Sequence, residues 1–203
     1  TDALRLTFAS LASGSRDINF DIKRVEGYRN FCNKLWNASR FIKLQCKGYK
    51  KSKKFSDDPI DKWIRSEFNK SLESYVDHID NSRFDLATQV LYEFIWEKLC
   101  DWYIEFCKIR LNDQSISNVE KAQIKNSLLD IFEKTLKLAH PMMPFITEEI
   151  WQSFKETFKS KEKSIMISEL PTRYLGTSNL KNIESLRSVI SGIRNIRSEM
   201  LIS

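Results

Sequence analysis

Between positions 23 and 41 lies a set of charged, amide and aromatic residues at a spacing that puts them on one side of a helix. At about 100° per residue, Lys23, Asn30, Lys34, Asn37 and Phe41 fall within a sector roughly 60° wide, and Arg40 lies beside it. Val25, Tyr28, Cys32, Leu35 and Trp36 fall on the other side and are the expected core face. Cationic groups neutralise phosphates, asparagine amides read base edges, and a phenyl ring stacks on a splayed base for about 1–3 kcal/mol. The stripe is therefore suited to unpaired nucleotides. The plainer alternative is a solvated helix face with Phe41 tucked under a neighbouring loop.

Other residues with chemical potential are less specific. Lys43, Lys47, Lys50, Lys51, Lys53 and Lys54, interleaved with Tyr49 and Phe55, form a mobile positive patch or a solubilising surface loop. Asp101 and Glu105 stand one helical turn apart, the usual spacing of a solvated edge or of partners for a nearby lysine, and no catalysis is assigned to them. His140 precedes Pro141 at a helix end, where the dipole favours it and a structural role is the default. Cys32, Cys46, Cys100 and Cys107 form no CxxC pair and lie far from either histidine, so no metal site is expected. Free thiols among apolar neighbours fit a reduced, cytoplasmic compartment. No Gly-rich phosphate loop and no GxSxG elbow occurs, so no catalytic residue is expected within this sequence.

The elements that must position these groups are helices. Only 5 Gly and 4 Pro interrupt 203 residues, too few for a hairpin-rich fold. Apolar residues make up 41% and charged residues 30%, enough for one well-filled domain. The net charge of +6 raises the odds of a polyanionic partner without deciding it. No apolar run approaches membrane-spanning length and no signal peptide opens the sequence, so neither a membrane nor DNA is expected as a partner, and a monomer is. The abrupt, already capped start reads as part of a longer polypeptide.

Thr1 or Asp2 caps a short helix to Leu11, broken by Ser13-Gly14-Ser15-Arg16. Asp21 caps a long one from Ile22 to about Cys46, and residues 47–59 form a loop. Further helices run from near Asp61 to Asn81, from Phe84 to about Leu111, from a Ser117 or Asn118 cap to His140-Pro141, and from Pro144 to Phe154. Alternation across Ser164 to Ser168 predicts one short strand, and a last helix spans Leu180 to Met200. The expected fold is all-α, an up-and-down bundle over residues 1–158. Residues 159–203 would begin a small α/β appendage of one strand and one helix.

Several blocks resemble a known family. DALR (Asp2 to Arg5) is similar to the motif that opens the anticodon-binding domain of class I aminoacyl-tRNA synthetases. RDINFD (Arg16 to Asp21), KRVEGYRNFCNKLWNASRF (Lys23 to Phe41), FDLATQVLYEFIWEKLCDWYIEF (Phe84 to Phe106), LAHPMMPFITEEIW (Leu138 to Trp151) and ISGIRNIRSEM (Ile190 to Met200) resemble valyl-tRNA synthetases. HPMMPF is shared by isoleucyl and leucyl relatives; NFCNKLWNASRF and CDWY favour valine. Ser13-Gly14-Ser15 departs from the family's Pro-Gly.

The resemblance implies a helical bundle that holds the anticodon loop of tRNA-Val. Activation of valine with ATP and Mg²⁺, and transfer to the tRNA, would occur on a separate domain carrying HIGH and KMSKS motifs ahead of Thr1. An editing domain and a heptad-rich arm after Ser203 would complete the protein. Carried onto this sequence, Lys23, Lys34, Arg40 and Phe41 match the segment that touches the anticodon, with Phe41 stacking and Lys34 and Arg40 on phosphate or base edges. Leu99 and Tyr103 are secondary candidates for apolar contact, or plain core. The competing readings are the equivalent isoleucyl domain and a helical scaffold whose aromatic helix docks a protein.

Overall fold

Helix ends follow the capping chemistry of the sequence. In the computed structural model, which describes residues 1–12, 20–52, 54–176 and 181–200 (for Lys181 and Asn182 the backbone alone), α1 spans Asp2–Leu11. Helix α2 spans Ile22–Gln45, and its cap Asp21 accepts the Lys23 N–H at 2.9 Å. The next helix, α3, spans Pro59–Asp80. It starts before the expected Asp61 because Asp58 is the cap and Pro59 takes the first helical position, where its missing N–H is harmless. A Ser117–Glu120 capping box opens α6, Asn118–Ala139. Pro144 opens α7, Pro144–Phe158. The last helix, α8, spans Lys181–Glu199. The expected break at residues 13–16 lies outside the described residues.

The aromatic segment expected as one helix is continuous but not uniform. Helix α4, Phe84–Tyr92, runs into a π-helical stretch, Glu93–Tyr103, and then into α5, Ile104–Asn112. The π stretch bonds i to i+5 and widens each turn, which a 3.6-residue periodicity cannot reveal. It carries the buried Phe94, Ile95, Leu99, Trp102 and Tyr103.

The architecture is all-α, and no strand occurs among the described residues. The strand expected at Ser164 to Ser168 is instead a 3₁₀ turn, Ile165–Ile167. The Ser164 hydroxyl accepts the Met166 N–H and curls the chain, and no neighbouring strand offers a ladder. Glu148 of α7 fixes this turn through the Ser164 hydroxyl and the Ile165 N–H. Further on, Tyr174 is clamped by reciprocal 2.8 Å bonds between its backbone and the Asn69 amide, and its hydroxyl donates to Asp130.

Helix α1 ties the bundle's two ends of sequence together. Asp2 is buried and accepts the N–H of Ile146 at 2.6 Å, so it caps α7, which has no side-chain cap of its own. Arg5 reaches the carbonyls of Pro141 and Met142. At the other end, Arg187 of α8 lies 5.1 Å from the rings of both Trp63 and Trp102, and Arg194 lies 5.0 Å from Trp102.

The centre is polar as well as apolar. Asp61 of α3 is 0% exposed and accepts from the Tyr103 hydroxyl and from Arg110 Nη1 at 2.8 Å. Arg110 also reaches the Ser56 hydroxyl, and Ser56 in turn joins Ser127 of α6. Removing one member of a buried ion pair strands the other charge. Asp61→Ala should therefore cost about 3–5 kcal/mol by urea denaturation, whereas Tyr103→Phe, which deletes one hydroxyl, should cost about 1–3 kcal/mol. Equal costs would mean that the ion pair adds nothing beyond the hydrogen bond.

Burial also sets the thiols. It pushes Cys32 up to about 11 and Cys46 and Cys100 up to about 12, and raises Cys107 still further. Thiolate is the reactive form. At pH 8 an aromatic disulfide reagent should react slowly with the native chain, Cys32 first, and release four equivalents rapidly only in denaturant.

Candidate nucleic-acid interface

The stripe on α2 runs beside a groove walled by Arg24, Gly27 and Tyr28 of α2 and by α4 and the start of the π stretch, and Lys34 reaches across to Asp101 further along. Phe31, Leu35 and Ile42 point into the bundle, at 1%, 0% and 0% exposure. Tyr28, Cys32 and Val25 are half-buried. Trp36, expected in the core, is 40% exposed, because the α2 core sector centres on Phe31 and Ile42 and leaves Trp36 at its edge. Trp36 instead borders a small hollow with Arg29, Cys32 and Phe145.

Of the stripe, Lys23, Asn30, Asn37 and Arg40 are exposed, and their side chains make no hydrogen bond or ion pair among the described residues. Lys34 is different. Its ammonium pairs with Asp101 and sits 3.7 Å above the Trp96 ring. Phe41 is half-buried rather than sealed, packed against the core with Lys108 Nζ 4.9 Å from its ring centre. Leu99 and Tyr103 are both 0% exposed. They present no surface to a ligand; their work is in the core, Tyr103 through Asp61.

The floor of the groove is aromatic, which the sequence reading did not assign. Tyr92 and Trp96 stack at 5.5 Å and 10°, and Phe31 stacks on Tyr92 at 5.0 Å. Tyr92 and Trp96 are themselves half-buried, so ring edges reach solvent. The far wall is acidic: Glu93, Glu97, Asp101 and Glu105 recur at four-residue intervals. Asp101 takes Lys34, and Glu105 takes Lys108 at 2.6 Å, the nearby-lysine role expected of that pair. A sequence signal for this wall existed in the repeat of acids, but only packing says that it faces α2.

Gly27 also lines this groove, in the second turn of α2. A glycine there costs about 1 kcal/mol relative to alanine. A Cβ added at Gly27 would meet nothing within 4 Å among the described residues. No close packing among the described residues calls for it.

The Lys-rich loop is pinned rather than mobile. Lys51 Nζ bridges Asp130 and Glu133 at 2.6 Å each. Burial alone would lower the Lys51 pKa, but the two carboxylates hold it above its ordinary value. Asn126 brackets the loop through the Ser52 N–H and the Lys54 carbonyl. Lys43, Lys47, Lys50 and Lys54 stay exposed, and Lys53 lies outside the described residues. His140 bonds Thr147 through Nδ1 at 2.8 Å, and burial lowers its pKa, in keeping with a structural role. Among the described residues no group of three His, Cys, Asp or Glu could hold a metal ion, and no helix is long and apolar enough to cross a membrane.

The family model for the anticodon-binding domain of tRNA ligases matches residues 61–203. The chain belongs to that family. It is 44% identical over 212 residues to the valine–tRNA ligase of Psychrobacter arcticus, which covers 98% of this chain and 22% of the relative. It is 45% identical over 202 residues to that of Francisella tularensis, again 98% and 22%. The valine–tRNA ligase of Buchnera aphidicola from Schizaphis graminum is 44% identical over 209 residues, 100% of this chain and 22% of the relative. The chain thus spans about a fifth of the length of these curated relatives. The family match begins at Asp61, after the α2 stripe; the relatives, aligned over nearly the whole chain, include it.

The Lys34–Asp101 pair makes a direct prediction for this family member. Asp101→Asn releases Lys34, so tRNA binding should tighten several-fold at low salt and the log K against log salt slope should steepen by about 0.7–0.9, one phosphate contact. Glu97→Gln removes the same charge from the same wall but releases no lysine among the described residues, and should change the slope less. Equal effects of the two variants in filter-binding titrations would remove Lys34 as the cause.

Proposed function

We propose that the chain is the anticodon-recognition module of a valine–tRNA ligase, and that it grips the anticodon loop of tRNA-Val along the groove between α2 and the π stretch. The observation that carries this reading is the chemistry on and beside the groove: exposed amides and cations without partners among the described residues on the outer face of α2, partly buried stacked rings between the helices, and carboxylates on the facing helix. An acidic wall repels phosphate and accepts hydrogen bonds from exocyclic amino groups of bases. Bases therefore face into the groove, and the phosphate backbone follows Lys23, Arg40 and the exposed lysines Lys43 and Lys47 outside it. Phe41 offers a ring for stacking, and Asn30 and Asn37 offer amides to base edges. Lys34 joins them when a ligand replaces Asp101 as its partner.

The full-length ligase would attach valine to tRNA-Val in the cytoplasm, as a monomer, using ATP and Mg²⁺. Those groups would bind elsewhere in the protein. Residues 1–158 would act as the recognition bundle, and residues 159–203 would connect it to the remainder.

The test is titration with tRNA-Val and with an anticodon-swapped transcript across a salt series. Tighter, salt-dependent binding of tRNA-Val is expected, with Arg40→Ala flattening the slope by about 0.7–0.9 and Phe41→Ala lowering discrimination more than Lys34→Ala does. Equal or undetectable binding of both RNAs would sink the proposal and favour a protein-binding scaffold.

A further inference from the structure

An open cleft of about 560 Å³ lies at the N-terminal end of the same groove, walled by Arg24, Gly27 and Tyr28 from α2 and by Gln89, Tyr92 and Glu93 from the facing helix. We infer that this cleft is a second nucleotide subsite, which takes one unpaired, amino-bearing base of the RNA strand held at Lys34 and Phe41. The inference rests on the proposed function and adds a separate site to it.

Four features converge. Gly27 lies in the second turn of α2, where a larger residue would favour the helix, and a Cβ there would meet nothing within 4 Å among the described residues, so a base could approach the backbone closely. Tyr28 and Tyr92 meet edge to face at 6.3 Å across the cleft and are half-buried, a ready aromatic wall for a base. Gln89 donates to Glu93 at 2.8 Å, which leaves the second Glu93 oxygen and the Gln89 carbonyl as acceptors toward the cleft. Carboxylate oxygens of this kind, which only accept, suit the amino groups of adenine, cytosine or guanine. Arg24 is exposed, with no side-chain partner among the described residues, and is placed for the phosphate of that nucleotide. Tyr92 is shared with the ring stack beneath Lys34, so the two subsites are continuous. Gly27 and Lys34 are two turns apart, about 10 Å along α2.

The experiment fills the cleft without touching the Lys34–Phe41 stripe. Gly27→Leu is titrated against tRNA-Val and against transcripts in which each anticodon-loop nucleotide in turn is abasic. Binding of intact tRNA-Val should weaken about tenfold, and one abasic transcript should bind the wild-type chain and Gly27→Leu equally, which names the base that enters. Glu93→Gln should weaken binding of the same base and leave the remaining abasic transcripts unaffected relative to one another. If Gly27→Leu lowers the melting temperature, Gly27→Ala carries the test, with a smaller loss in the same transcript-selective pattern. Unchanged binding, or an equal loss on every transcript, overturns the subsite while leaving the proposed function standing. Failure of the unaltered chain to bind any transcript would instead overturn the proposed function.

Discussion

Asp61 enters the interior with none of its surface exposed, and the chain compensates that buried carboxylate from two elements distant in sequence. Tyr103 ends the π stretch and donates its hydroxyl; Arg110 on α5 supplies the opposite charge at 2.8 Å. Desolvating a carboxylate costs several kcal/mol unless its lone pairs are taken up in good geometry, so the pair specifies a position more than it adds stability. The π stretch is held at a defined depth against α3. Its opposite side is thereby fixed relative to α2. The groove depends on that.

Within the groove, opposite charges face each other across aromatic rings. Lys34 shows what this means for recognition: it already has a carboxylate and a ring face as partners, and a ligand must offer more than both. In the proposed complex a phosphate alone would have to displace Asp101, whereas a base would add stacking and hydrogen bonds to the exchange. Such an arrangement exchanges some affinity for discrimination. The exposed Arg40 and Lys23 carry no such restriction, so under the proposed function charge attraction and base selection would be divided between different residues of one helix.

The blocks that most resemble valyl-tRNA synthetases do not all serve recognition. Asp2 and Arg5 of DALR bracket the start of α7 and the HPMMPF turn, so those two blocks meet in space as one structural joint. In CDWY, Trp102 and Tyr103 are buried and support Arg187, Arg194 and Asp61. The KRVEGYRNFCNKLWNASRF block, by contrast, places charged and amide groups at the surface. Leu99 and Tyr103 illustrate the difference: family likeness suggested an RNA contact, and burial assigns them to the core.

Local chemistry was legible in the sequence wherever a few adjacent residues decide the outcome. Asp21, Ser117 and Pro144 announced their helices because a cap needs only its own first turn. The all-α class and the exposure of Lys23, Asn30, Asn37 and Arg40 followed from periodicity. Where partners lie far apart in the chain, only the tertiary structure decided. It paired Lys34 with Asp101 and pinned Lys51 on Asp130 and Glu133; it left Trp36 outside and curled residues 165–167 into a turn. The π stretch, too, was not legible locally, because a 3.6-residue period carries no sign of i to i+5 bonds. A side chain's period states which way it leaves its own helix. What it meets there depends on the neighbours that long-range packing brings.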